Sequence, residues 1–170
     1  IPLYDGTRPY QNIPYQYSLH YVENKDSDLK HREFLAEPAR DPRRELTDAL
    51  LRDIPAGACV LAYNQSFEEG VLRALAQCFP GDRERIENII AGMKDLLQPF
   101  RRMSVYSWQQ HGSCSLKSVL PAILPSVNYD HLEIRDGCMA MAAYEAMNTA
   151  NDASELTRIR NSLLAYCRMD

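Results

Sequence analysis

A chain of 170 residues, 45% hydrophobic and 25% charged, has the balance of a globular domain, which excludes a disordered, fibrous or collagen-like polymer. No apolar run reaches membrane-span length, and the start, Ile1 to Tyr10, has neither the charged nor the apolar region of a secretory signal. Five scattered cysteines, with no C-x-x-C pair or zinc-ligand spacing, read as thiols of a reducing cytoplasm. A net charge of -4 leaves only local patches for a polyanion, at Arg40, Arg43, Arg44 and at Arg101, Arg102.

Pro2, Pro9 and Pro14 delay regular structure until after Ile13. From Tyr15 to Val22 large apolar residues alternate with polar ones, the period-2 pattern of a half-buried strand, and Leu29 to Leu35 is expected to return as its hairpin partner. Asp41 before Pro42 starts a helix with Leu46, Ala49, Leu50 and Ile54 on one face, ended by Pro55 and Gly57. Ala58 to Tyr63 is a short continuous apolar run, the pattern of a central strand buried on both faces. Phe67, Val71, Leu72, Leu75 and Phe79 then mark a helix stopped by Pro80-Gly81. Asp82 to about Met93 reads as another. Arg101 to Ser113 reads as a loop. Ser115 caps a short helix with Pro121 inside it, and two further helices are expected over Asp136 to Met147 and from Ser154 to the end.

The order of hairpin, helix, buried strand and then mostly helix predicts an α/β fold in one domain, a small mixed sheet with helices on its faces. A hairpin plus one distant strand makes a thin sheet, so a strand is expected to be missing at the start.

Two places combine residues capable of chemistry. Tyr63-Asn64-Gln65-Ser66-Phe67-Glu68 lies where a strand hands over to a helix, the rim where α/β sheets bind ligands, although Glu68 would also complement a helix dipole while Asn64 or Ser66 caps the backbone. Near the C-terminus, Tyr166 and Asp170 are four apart on one helix face, so that a carboxylate for a hard cation and a phenol for a water or phosphate oxygen are neighbours. An unadorned terminal helix with a packed Tyr would look the same.

Together these stretches resemble the second and third motifs of the DnaQ-like, or DEDD, exonucleases: Asn-x-x-Phe-acid at Asn64 to Glu68, and Tyr-x-x-x-Asp at Tyr166 to Asp170, the tyrosine subtype. Asp95-Leu96-Leu97 and Ser115 to Leu120 resemble stretches that often separate those motifs. The opening, Tyr4 to Tyr10 and Ile13 to His20, is similar to an uncharacterised bacterial domain family within that superfamily.

The resemblance implies a ribonuclease-H-like fold whose two divalent ions, Mg²⁺ or Mn²⁺, hydrolyse phosphodiesters of single-stranded DNA or RNA from the 3' end. Two ions about 4 Å apart generate hydroxide and stabilise the attacking and leaving oxygens. By that resemblance Glu68 and Asp170 are metal ligands, Tyr166 orients the nucleophilic water, and Asn64 and Phe67 support the site. Glu68 stands where Asp is commoner, with one more methylene of reach. The Asp-x-Glu first motif is not among these residues, and Asp5, in a Gly- and Pro-rich turn without a partner acid two positions away, does not replace it. The chain therefore reads as a domain cut at both ends, inactive or weak in this form and part of a longer chain. A non-catalytic nucleic-acid-binding or interaction module on the same fold is the alternative, and another metal-dependent phosphodiesterase a third.

Other features have plainer readings. His20, His31, His111 and His131 lack metal spacing and read as surface or structural, with His111 in the loop nearest a substrate role. Gly112 to Ser115, with Lys117, reads first as capping and second as a phosphate cradle. Tyr10, Tyr15, Tyr17 and Trp108 are able to stack on unpaired bases, but the alternation around Tyr15 favours packing. Cys167 has no His partner and reads as packed.

Overall fold

The computed structural model describes residues 4–9, 11–127, 131–150 and 152–169, a mixed α/β arrangement. Its contacts gather in two compact units, residues 1–49 with 129–170, and residues 50–128. Among the described residues no helix is long and apolar enough to cross a membrane.

In the first unit, strands β1 (Gln16–Tyr21) and β2 (Lys30–Leu35) form the expected hairpin, antiparallel with Gln16 opposite Leu35 and Tyr21 opposite Lys30. Cross-strand rings set the register, Tyr17 against Phe34 at 5.9 Å and His20 against His31 at 4.5 Å. Helix α1 (Arg43–Asp53) starts where Asp41 accepts the Arg43 N–H at 3.0 Å, and the Asp41 carboxylate grips the buried Arg43 guanidinium, which also donates to the Asp5 carbonyl at 2.9 Å. Toward the C-terminus, α6 (Gly137–Met147) is capped by Asp136, which accepts the Met139 N–H at 2.8 Å. The last helix, α7 (Ala153–Met169), packs on α6, β1 and β2 through Ile159, Leu163 and Tyr166. Tyr15 stacks on the buried Tyr144 at 4.0 Å, so the N-terminal tyrosine is packed as its alternation predicts.

The second unit holds β3 (Val60–Ala62), α2 (Gln65–Cys78), α3 (Arg83–Ala91), β4 (Met93–Asp95), α4 (Gln98–Arg101) and α5 (Leu116–Ile123). Strands β3 and β4 pair in parallel, Val60 with Met93 and Ala62 with Asp95, and α2 and α3 make the long crossover that parallel pairing requires. Leu72, Leu75, Ile86 and Ile89 are buried, from the helical faces read in the sequence.

Several expectations need correction. The run from Ala58 to Tyr63 yields only three strand residues, hydrogen-bonded among the described residues to β4 alone, and Leu61 is 60% exposed, so β3 is not a strand buried on both faces. Among the described residues the strands form two separate pairs, β1-β2 and β3-β4, rather than one mixed sheet. Helix α3 stops at Ala91, and Met93 to Asp95 forms a strand that sequence periodicity did not mark because three residues carry no period. Phe67, at helical spacing with the apolar face of α2, is 60% exposed instead of buried, since it lies in the first turn before the helix reaches the core. Ser115 holds the N-cap position of α5 without capping a backbone N–H, and its hydroxyl pairs with Ser118 at 3.0 Å. The segment expected as loop from Arg101 contains an ordered 3-10 turn, Trp108–Gln110.

Candidate functional site

The carboxyl ends of β3 and β4 lie side by side, Ala62 level with Asp95, which is where open α/β structures place their ligands. After β3 the chain turns into α2 through Asn64, whose φ of 70 puts it in the left-handed region that Asn adopts more readily than most side chains. Asp95 holds that turn. Its Oδ1 accepts the N–H groups of Asn64 and Leu97, each at 3.0 Å, while Oδ2 accepts from the Gln98 amide at 2.8 Å. Burial opposes ionisation of Asp95, but bonds from Gln98, Leu97, Gln65 and Asn64 outweigh it and hold the carboxyl below its ordinary range.

Glu68, one turn into α2, has the opposite environment. It is partly buried, and its Oε2 lies out of solvent with no hydrogen-bond partner among the described residues. Burial pushes its carboxyl upward and the charge of Asp95 adds to that, while its own backbone N–H acts against them. A buried carboxylate oxygen with nothing to bind is costly, and a hard divalent cation, which takes carboxylate oxygens, is the partner that would relieve it. Glu68 therefore fits a metal-ligand role. Asp95 does not, because hydrogen bonds already engage both its oxygens.

Beside this junction is a cleft of about 420 Å³ lined by Tyr63, Asn64, Leu97, Arg101, Cys114 and Ser115, among others. The Tyr63 hydroxyl donates to the Cys114 carbonyl at 2.6 Å and closes one wall, with burial raising the phenol's pKa and Cys114 and Asp95 adding to it. Phe100 lies against Tyr63 at 6.2 Å, carrying Arg101 into the cleft at the end of α4.

Residues 1–115 match the family described as Domain of unknown function (DUF2779). The chain belongs to the DUF2779 family. Neither a curated protein nor a solved structure matches it. The matched span of this DUF2779 chain includes Asn64, Phe67, Glu68, Asp95 and Arg101, whereas Tyr166 and Asp170 fall beyond it.

The other sequence candidates of the DUF2779 chain are placed as follows. Tyr166 is buried on α7, and Tyr15 lies close enough that its phenol, pushed up to about 12 chiefly by burial, is raised further by Cys167 and Tyr166. Asp170 and Tyr10 lie outside the described residues. Asn64 acts through its backbone, and the Ser66 hydroxyl donates to its Oδ1 at 3.1 Å. His31 bonds Ser18 at 2.9 Å, in keeping with a structural histidine, and His131 is exposed. Among the described residues no three His, Cys, Asp or Glu side chains gather as a metal centre. Sequence reasoning missed Asp95 as the clamp on Asn64 and Arg101 as a cleft residue. For the first, the sequence offered Asp95-Leu96-Leu97 only as a stretch between the motifs, and its bond to Asn64, 31 residues away, is legible only once the strands are known to pair.

Proposed function

We propose that this DUF2779 chain is the core of a ribonuclease-H-like, DnaQ-type exonuclease domain that hydrolyses single-stranded DNA or RNA from the 3' end with Mg²⁺ or Mn²⁺. The observation that carries the reading is the Glu68 carboxylate, half-withdrawn from water with an unpartnered Oε2, at the carboxyl end of a parallel strand pair. The order of the two motifs around Glu68 and Tyr166 supports it. So does β3, which among the described residues hydrogen-bonds to β4 alone and so leaves a side for the Asp-x-Glu strand that the resemblance calls for.

In this reading Glu68 and Asp170 hold the ions, together with the upstream acids. Bound there, the ions would supply an activated water and charge for the leaving oxygen. The chain's own residues do the rest. Asp95 clamps the Asn64 turn and so fixes where α2 begins and where Glu68 projects. Tyr166 would orient the water through its hydroxyl, and the rim would admit one strand end. The scattered spacing of the five cysteines, without a C-x-x-C pair, supports a reducing, cytoplasmic location.

The test is Mn²⁺-dependent degradation of end-labelled single-stranded DNA and RNA by the chain extended upstream through one strand, beside its Glu68→Gln and Asp170→Ala variants and the 170-residue form. Laddering from the 3' end, lost in both variants and in the short form, is the expected result. No turnover by any form, with salt-sensitive strand binding retained, would replace the enzyme with a binding module.

A further inference from the structure

From Leu96 to Tyr129 the sequence contains no Asp or Glu, while Arg101, Arg102 and Lys117 lie within it, so in a chain of net charge -4 this long stretch carries cations and no acid. The same stretch holds the protein's single Trp, Trp108, which is 74% exposed, with Tyr106 exposed two residues before it. An indole left in water is unusual, and here it is not the consequence of a slack loop.

The side chain that organises the turn is Gln110, buried at its base. Its Oε1 accepts the Ser107 N–H at 2.6 Å and its Nε2 reaches the Ser113 carbonyl, while the His111 N–H donates to the Trp108 carbonyl at 3.1 Å. His111 then takes φ 49 and Gly112 φ 78, which reverses the chain. The His111 ring meets the indole edge-on at 6.4 Å, and the turn packs on α5. A buried polar side chain thus secures a turn whose effect is to hold the Trp108 face outward.

Both ends of this segment line the cleft, Arg101 where it leaves and Cys114 and Ser115 where it returns. The Arg101 guanidinium makes no ion pair among the described residues. An outward aromatic face, the Arg101 cation and an adjoining cleft are what a single-stranded nucleic acid requires, since every base has a face to stack and every nucleotide a phosphate to neutralise.

We propose that Trp108 stacks on an unpaired base of single-stranded nucleic acid while Arg101, in the cleft, contacts its phosphate. This rests on the nuclease reading for its substrate class but not on hydrolysis, and it assigns strand binding to a surface other than the carboxylates.

Because Trp108 is the only Trp, its fluorescence reports stacking directly. The chain is titrated in chelator, at low salt, with fluorescein-labelled oligothymidylate followed by anisotropy and with the unlabelled strand followed by indole emission; an abasic strand of equal length is the control. Oligothymidylate quenches Trp108 and the abasic strand does not. Trp108→Ala, shown folded by circular dichroism, binds about 5- to 150-fold more weakly, and Trp108→Phe recovers most of the loss. Arg101→Ala lowers the salt dependence by about 0.7 in log-log slope. Binding with indole emission unchanged and Trp108→Ala at full affinity overturns the inference and leaves the nuclease reading standing. No binding of either strand overturns it as well, with hydrolysis then judged by its own assay. Quenching by a chain whose extended form hydrolyses nothing upholds the inference and removes the nuclease.

Discussion

The carboxylate of Asp95 accepts the backbone N–H of Asn64 at 3.0 Å, which ties the end of β4 to the first turn of α2. The bond unites residues 31 positions apart and sets the direction in which Glu68 leaves the helix. Asp95→Ala leaves the Asn64 and Leu97 N–H groups without their acceptor, at a cost of about 1–3 kcal/mol in urea unfolding. The clamp is strongest above the ordinary carboxyl value of 3.8, because the folded value is lower. Its contribution is lost as pH falls from there through the folded value. Asp95→Asn keeps an acceptor and removes the charge, so a smaller loss of stability accompanies a downward shift of the Glu68 carboxyl, read by NMR titration.

Glu68 titrates with the opposite sign. Its folded value lies above the ordinary 4.5, so the stability it contributes is present below that value and is lost as pH rises through the folded one. Glu68→Gln removes the buried charge and stabilises the metal-free chain by roughly 1 kcal/mol at neutral pH. Chemical denaturation at two pH values checks this, and equal or lower stability of the variant would contradict the account of Oε2.

Gly92 lies where α3 turns into β4. A Cβ there would come 2.5 Å from the Ala58 carbonyl oxygen, a backbone atom with little freedom to withdraw, and the Gly92 carbonyl itself accepts the Val60 N–H at 3.1 Å. Gly92→Ala therefore pushes β3 from β4 and costs about 1–3 kcal/mol. Thermal unfolding reports the loss, and amide exchange at Val60 localises it.

His31 is half-buried against His20 and bonded to Ser18. Burial, then His20 and Arg168, push its pKa down, and Glu33 only partly opposes them. The neutral ring is thus the form that stabilises the hairpin, fully above the ordinary value of 6.5 and decreasingly as pH falls through the lower folded value. The melting temperature should fall between about pH 8 and pH 5, and His31→Gln should flatten that dependence. An unchanged slope in the variant would assign the effect elsewhere.

Local chemistry alone was sufficient for the hairpin and for the existence of the longer helices, though not for α4 or the end of α3. Asp41 and Asp136 cap, Pro80-Gly81 stops α2, and the alternation from Tyr15 to Tyr21 gives β1, because each signal acts over one or two turns of chain. Of the candidate site, Asn64 and Glu68 were legible by motif. What distinguishes them was not. A three-residue strand has no period, so β4 and its pairing with β3 emerged only when the crossover of α2 and α3 was closed, and with that pairing came Asp95 as clamp. Exposure is likewise a property of neighbours. The sequence favoured packing for the aromatic residues, yet Tyr15 is stacked on Tyr144 while Trp108 is held in water by a buried Gln110. Residue type fixes what a side chain prefers, and only the packing around it decides whether that preference is met.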